Sequence, residues 1–129
     1  MKLAQFLRQR RVSKDVQEAL EDVLVELADL LKLDEDAFLT GEYQQDGSKT
    51  IIYDYDFDTK SPILANTMKY FKSLEKEDMY EPITFSADKK PNISTLMILD
   101  DDEYDNKIVY LKFAQRYRLD PVQFEITIA

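Results

Sequence analysis

The residues best able to do chemistry in this 129-residue chain are its carboxylates, and two groups of them stand out. The run Thr50–Asp58, TIIYDYDFD, alternates strictly. As a strand it sends Asp54, Asp56 and Asp58 to one side and Tyr53, Tyr55 and Phe57 to the other. Asp100, Asp101, Asp102, Glu103 and Asp105 form the second group, with Tyr104 inside it. Like charges on one strand face repel, so the first group calls for a reason. Three chemistries use such carboxylates: chelation of a hard cation, glycoside hydrolysis by a pair, and imitation of a phosphate row. Same-face strand positions recur about every 6.6 Å, close to the roughly 6.8 Å of two axial phosphate steps along one DNA strand. A row with that spacing suits a basic nucleic-acid-binding groove. The plain alternatives are a strand face kept soluble by charge and, for the second group, a solvated turn.

The rest of the composition narrows these options. There is no histidine and no cysteine, which removes most nucleophilic triads and zinc sites. The EF-hand pattern fails in the second group, which has neither its glycine nor its closing glutamate. No glycine-rich phosphate loop and no G-x-S-x-G occurs, and tryptophan is absent. The expectation is a protein without catalytic residues, metal ligands or cofactor, and not an enzyme. Tyrosine is plentiful, with eight in the chain. Tyrosine beside carboxylate suits an interface, where a ring anchors and charge steers, and Tyr104 is the one placed for that role. For the others, packing in strands is the simpler reading.

The net charge of −9 is unevenly placed. Residues 34–58 hold eight acids against Lys49, and residues 81–106 hold seven acids against two lysines. Residues 1–33 balance, with six groups of each sign, and residues 107–129 carry four bases and two acids. A concentrated negative field steers a basic protein partner and disfavours direct nucleic acid binding, which needs the opposite sign.

Periodicity supplies the elements that must position these groups. Lys2–Arg11 reads as a short helix with Leu3, Phe6 and Leu7 on one face, and an arginine-rich phosphate-binding arm is the functional alternative. Ser13 caps a longer helix, Lys14 to about Leu33, with Val16, Leu20, Val23, Leu24, Leu27, Leu30 and Leu31 as its stripe. Leu20, Leu24, Leu27 and Leu31 also keep heptad spacing, which admits a homodimer through the Lys14–Leu33 helix; packing onto a sheet is the other use of that stripe. Asp34 caps a short helix, Glu35–Leu39, ended by Gly41. Glu42–Lys49 is a polar connection with a turn at Asp46-Gly47, and the Thr50–Phe57 strand follows. Ser61-Pro62 starts a helix to about Lys76, with Ile63, Leu64, Thr67, Met68, Phe71 and Leu74 buried. Pro82–Ala87, Ile93–Leu99, Lys107–Tyr117 and Val122–Ile128 read as strands, although the tail AQRYRL also has a helical reading.

The run Ala28–Glu42, ADLLKLDEDAFLTGE, resembles the closing two helices of the phage-repressor type of helix-turn-helix domain, which often end in a similar apolar pattern and Leu-Thr-Gly-Glu. The resemblance covers about fifteen residues, and no segment matches that family's recognition helix. It implies a phage or mobile-element origin, and DNA binding does not carry over with it.

The expected fold is α+β: N-terminal helices and one central helix packed on a mostly antiparallel sheet of about five strands. The chain forms a single domain, with residues 1–41 helical and residues 50–129 in a strand–helix–meander part. No apolar run is long enough to span a membrane and the first residues lack a secretory apolar core, so a cytoplasmic protein with no membrane partner is expected. The functional expectation is an acidic binding protein, in concrete form a phage or mobile-element inhibitor of a basic nucleic-acid-binding protein. Its partner-binding residues would be Asp54, Asp56, Asp58, Asp100, Asp101, Asp102, Glu103, Tyr104 and Asp105. The alternatives are a small ligand- or effector-binding domain, with a pocket between the meander and the Ser61–Lys76 helix, and a homodimeric accessory domain.

Overall fold

The computed structural model describes residues 1–54, 57, 62–87, 90–99, 107–115, 117 and 119–129, with backbone alone at 84–87 and 90–92. Helix α1 is Leu3–Arg10 and α2 is Lys14–Leu30. The Ser13 hydroxyl oxygen accepts the Val16 N–H at 3.3 Å and so caps α2 as expected. Leu20, Leu24 and Leu27 are wholly enclosed within this one chain. The heptad-spaced seam therefore serves the core, with Ala19 and Ala28 completing it, while Leu30 turns outward at 39% exposure.

α2 ends three residues earlier than its periodicity suggests, for a local reason. Lys32 adopts the left-handed region at φ 59. The Leu33 N–H then reaches the Ala28 carbonyl at 2.8 Å and the Lys32 N–H reaches that of Asp29 at 3.1 Å, which is the Schellman closure. Arg11, at φ 53, closes α1 in the same way. The Lys107 ammonium donates to the Arg10 and Arg11 carbonyls and so tethers that helix end to the start of a strand. Arg10 Nη2 donates to the Ile128 carbonyl at 3.3 Å.

After the turn, α3 is a single helical turn, Ala37–Thr40, that inserts Phe38 fully into the core. The Leu-Thr-Gly-Glu residues have structural roles. Thr40 Oγ1 donates to the Asp36 carbonyl at 3.1 Å. Gly41 sits so close to the Tyr53 ring that a Cβ there would lie 2.2 Å from Tyr53 Cε2 and 2.6 Å from the Ala37 carbonyl oxygen. Glu42 pairs with the Met1 ammonium at 2.9 Å and Lys2 Nζ at 3.1 Å, and these partners hold its carboxyl below the usual range. From Tyr43 the chain enters a strand, β1.

The sheet has six antiparallel strands in the order β1-β2-β6-β5-β4-β3, against an expectation of about five. They are β1 Tyr43–Asp46, β2 Thr50–Tyr53, β3 Tyr80–Ala87, β4 Lys90–Leu99, β5 Ile108–Ala114 and β6 Gln123–Ile128. The extra strand is β1, read from sequence as a connection. Three of its four residues are exposed, so it carries no alternation signal. It is held by pairing with β2 and by the Tyr43 hydroxyl, which donates to the Phe38 carbonyl at 2.6 Å. The Asp46-Gly47 turn is present, with Gly47 at φ 76. The other edge strand, β3, carries Pro82, and a residue with no N–H suits an edge. β5 stops at Ala114, and Gln115, Tyr117, Leu119 and Asp120 are not helical.

Helix α4, Ile63–Ser73, continues as a 3-10 turn, Leu74–Lys76, and carries the chain from β2 to β3. It begins one residue after Pro62 rather than at it, a boundary shift of ordinary size; Ser61 lies outside the described residues. Ile63, Thr67 and Phe71 fill the interface between α4 and the sheet, and Thr67 Oγ1 is satisfied by the Ile63 carbonyl at 2.8 Å. All the helices cover one face of the sheet. The other face, with Lys112, Glu125 and Thr127, is uncovered by any described helix.

Two substitutions separate close packing from backbone strain. Gly41→Ala should lower the unfolding free energy by about 2 kcal/mol, because a buried ring and a carbonyl must both move. Lys32→Gly should raise it by about 0.5–1 kcal/mol by relieving the left-handed residue. Urea unfolding reads both, and a G41A protein as stable as the parent would contradict the packing described.

Candidate functional site

Asp54 is the one member of the expected partner-binding set among the described residues. It stands exposed just beyond β2, with Gln44 Nε2 donating to its carboxylate at 3.5 Å. The alternation read from the sequence holds around it: Tyr53 and Phe57 are buried at 8% and 4% while Asp54 faces solvent. The strand ends at Tyr53, where its pairing with β6 ends at Phe124, rather than at Phe57; Tyr55 and Asp56 lie outside the described residues. Asp56, Asp58, Asp100, Asp101, Asp102, Glu103, Tyr104 and Asp105 lie outside the described residues.

Register nevertheless fixes where the two acidic segments are attached. Tyr53 is level with Phe124, and Phe124 with Phe113. Leu99 is level with Ile108, at the opposite end of β5 from Phe113. Five residues separate Ile108 from Phe113, or about 17 Å along the strand. Asp54 therefore leaves one end of the sheet, and the residues that bracket the second acidic run sit at the other.

A different carboxylate row emerges on α2. Asp15, Glu18, Asp22, Glu26 and Asp29 are all exposed. At 3.6 residues per turn they fall within about 80° of one another, and at 1.5 Å rise the row is about 21 Å long. Glu18 has an ion pair with Lys14 at 3.9 Å, between two exposed groups. Asp15, Asp22, Glu26 and Asp29 have no ion pair among the described residues. Near the end of the row, Val25, Glu26, Asp29, Leu33 and Glu35 bound a hollow of about 270 Å³, with Leu30 exposed in sequence between them. Among the described residues no three carboxylates converge where they could hold a metal ion.

Sequence reasoning passed over this row because residues 1–33 are neutral as a segment. The signal was in the order: every base lies at or before Lys14 except Lys32, and every acid lies from Asp15 to Asp29. Acids three and four apart on one helix face share a side, and that spacing was readable.

The field of this row reaches a pair of half-buried tyrosines. Burial first, and then Glu26, Tyr80, Glu77 and Asp22, push the Tyr70 hydroxyl above its ordinary value. Burial, Glu77 and Asp22 do the same for Tyr80, whose hydroxyl donates to the Ala19 carbonyl at 3.4 Å. A proton held in the folded state but released by the unfolded chain stabilises the fold below the ordinary tyrosine value of 10.0, and that stability is lost as pH rises past it. Unfolding should become easier as pH climbs above 10.0, and Tyr70→Phe should flatten that decline. Glu26→Gln should bring Tyr70 ionisation to lower pH, read by tyrosinate absorbance. An unchanged titration in E26Q would show that the α2 carboxylates do not act on this corner.

No helix among the described residues is long and apolar enough to cross a membrane. Compared with known proteins, the chain matches no family model, no curated protein and no solved structure.

Proposed function

We propose that the protein is a non-enzymatic binding protein that presents carboxylates to a basic protein partner. The observation that carries this reading is the exposed row Asp15–Glu18–Asp22–Glu26–Asp29, which makes only one ion pair among the described residues. Neighbouring like charges at helical spacing destabilise a helix by a few tenths of a kcal/mol per pair. Among the described residues the Lys14–Glu18 ion pair alone offsets part of that cost, whereas a cationic surface would offset the rest. A rigid row about 21 Å long covers about six phosphate steps of one DNA strand. An inhibitor that occupies the groove of a nucleic-acid-binding protein is the concrete form of the proposal. The row Asp54, Asp56 and Asp58 read from the sequence is the competing centre for the same activity.

The test is a comparison of the two rows. The partner is captured from the native host, identified, purified and titrated at low and high salt. Reversal of Asp22, Glu26 and Asp29 to lysine should weaken binding about a hundredfold and remove most of its salt dependence. Reversal of Asp54, Asp56 and Asp58 should weaken it less. Affinity that survives the α2 reversal, or that ignores salt in the parent, would sink the proposal.

A further inference from the structure

The uncovered face of the sheet carries a hollow with different chemistry. Strands β4, β5 and β6 place Ile93, Ala114 and Gln123 in one cross-strand row and Thr95, Lys112 and Glu125 in the next. Beside them runs the connection to β6, where Gln115 Nε2 donates to the Asp120 carbonyl at 2.6 Å. Ile93, Ala114 and Pro121 supply apolar lining, and Lys112, Glu125 and Gln123 supply polar groups, around a groove of about 610 Å³. That volume lies in the range that holds small organic ligands.

Two charged groups of the groove face only each other among the described residues. Lys112 Nζ and Glu125 Oε2 stand 3.8 Å apart, beyond hydrogen-bond length. Neither makes another hydrogen bond or ion pair among the described residues. Their side chains are 39% and 22% exposed, so solvent screens them less than a free surface pair.

We propose that this groove binds a free α-amino acid as its zwitterion. Lys112 meets the carboxylate, Glu125 meets the ammonium, and the ligand's side chain lies on Ile93, Ala114 and Pro121. A simple anion would face Glu125 unpaired and a simple cation would face Lys112 unpaired, each at a desolvation cost. A ligand with both charges on one carbon answers both groups at once. The site is independent of the α2 row, because α2 packs on the opposite face of the sheet.

The experiment is a nitrogen-15 NMR titration with the standard amino acids singly, at up to tens of millimolar. At least one should give saturable shifts centred on Ile93, Lys112, Ala114, Gln123 and Glu125. Its N-acetyl derivative, which lacks the ammonium, and its amide, which lacks the carboxylate, should each bind about tenfold more weakly or worse. Lys112→Met and Glu125→Gln lie on the solvent side of the sheet and should keep a dispersed spectrum while losing affinity to the same extent. The proposal fails if no amino acid produces saturable shifts at these residues. It fails equally if either derivative binds as well as its parent, or if both variants bind normally.

Discussion

The contact on which the rest of this fold depends is the aromatic cluster around Phe113 and Phe124. Their rings stack across β5 and β6 with centroids 4.7 Å apart. Phe38 stands against Phe124 at 4.9 Å and Tyr53 against Phe38 at 5.2 Å. Phe71 of α4 and Phe57 approach Phe113 at 6.5 Å and 5.8 Å. Rings at such separations and tilts add to their burial, and here they join α3, β2, α4, β5 and β6. α3 is too short to persist alone; it exists because Phe38 is held in this cluster. Gly41 follows from the same constraint, since the chain must pass close to the Tyr53 ring to leave α3 and enter β1.

This core determines what the surface can do. With Leu20, Leu24 and Leu27 enclosed against it, the roll of α2 about its own axis is fixed and its acidic stripe becomes a rail in a set direction. Carboxylates on such a rail present a spacing that a flexible acidic tail could not hold, because the helix backbone that carries them is already ordered. The stripe is paid for in self-repulsion, which a binding surface would relieve.

Much of this was legible in local pattern. The Ser13 cap, the inward leucines of α2, the burial of Leu3, Phe6 and Leu7, and the inward Tyr53 and Phe57 against outward Asp54 all follow from residue period. What escaped has specific causes. β1 has a single buried residue, Tyr43, so its strand identity comes from pairing with β2. β6 inserts between β2 and β5, a non-local pairing that period does not encode, and the register that comes with it puts Asp54 at one end of the sheet and Leu99 and Ile108 at the other. The α2 row was hidden by adding charges over a segment when their order along the helix was the informative quantity. The groove at Lys112 and Glu125 required knowing which strands lie side by side.

The measurement that bears most directly on the carboxylate rail is a nitrogen-15 NMR titration of the protein with a short oligolysine peptide at low salt. The largest shifts should fall along α2 from Asp15 to Asp29 and fade as salt is added. Shifts centred on the residues around Asp54, or spread evenly over all exposed acids, would contradict the account.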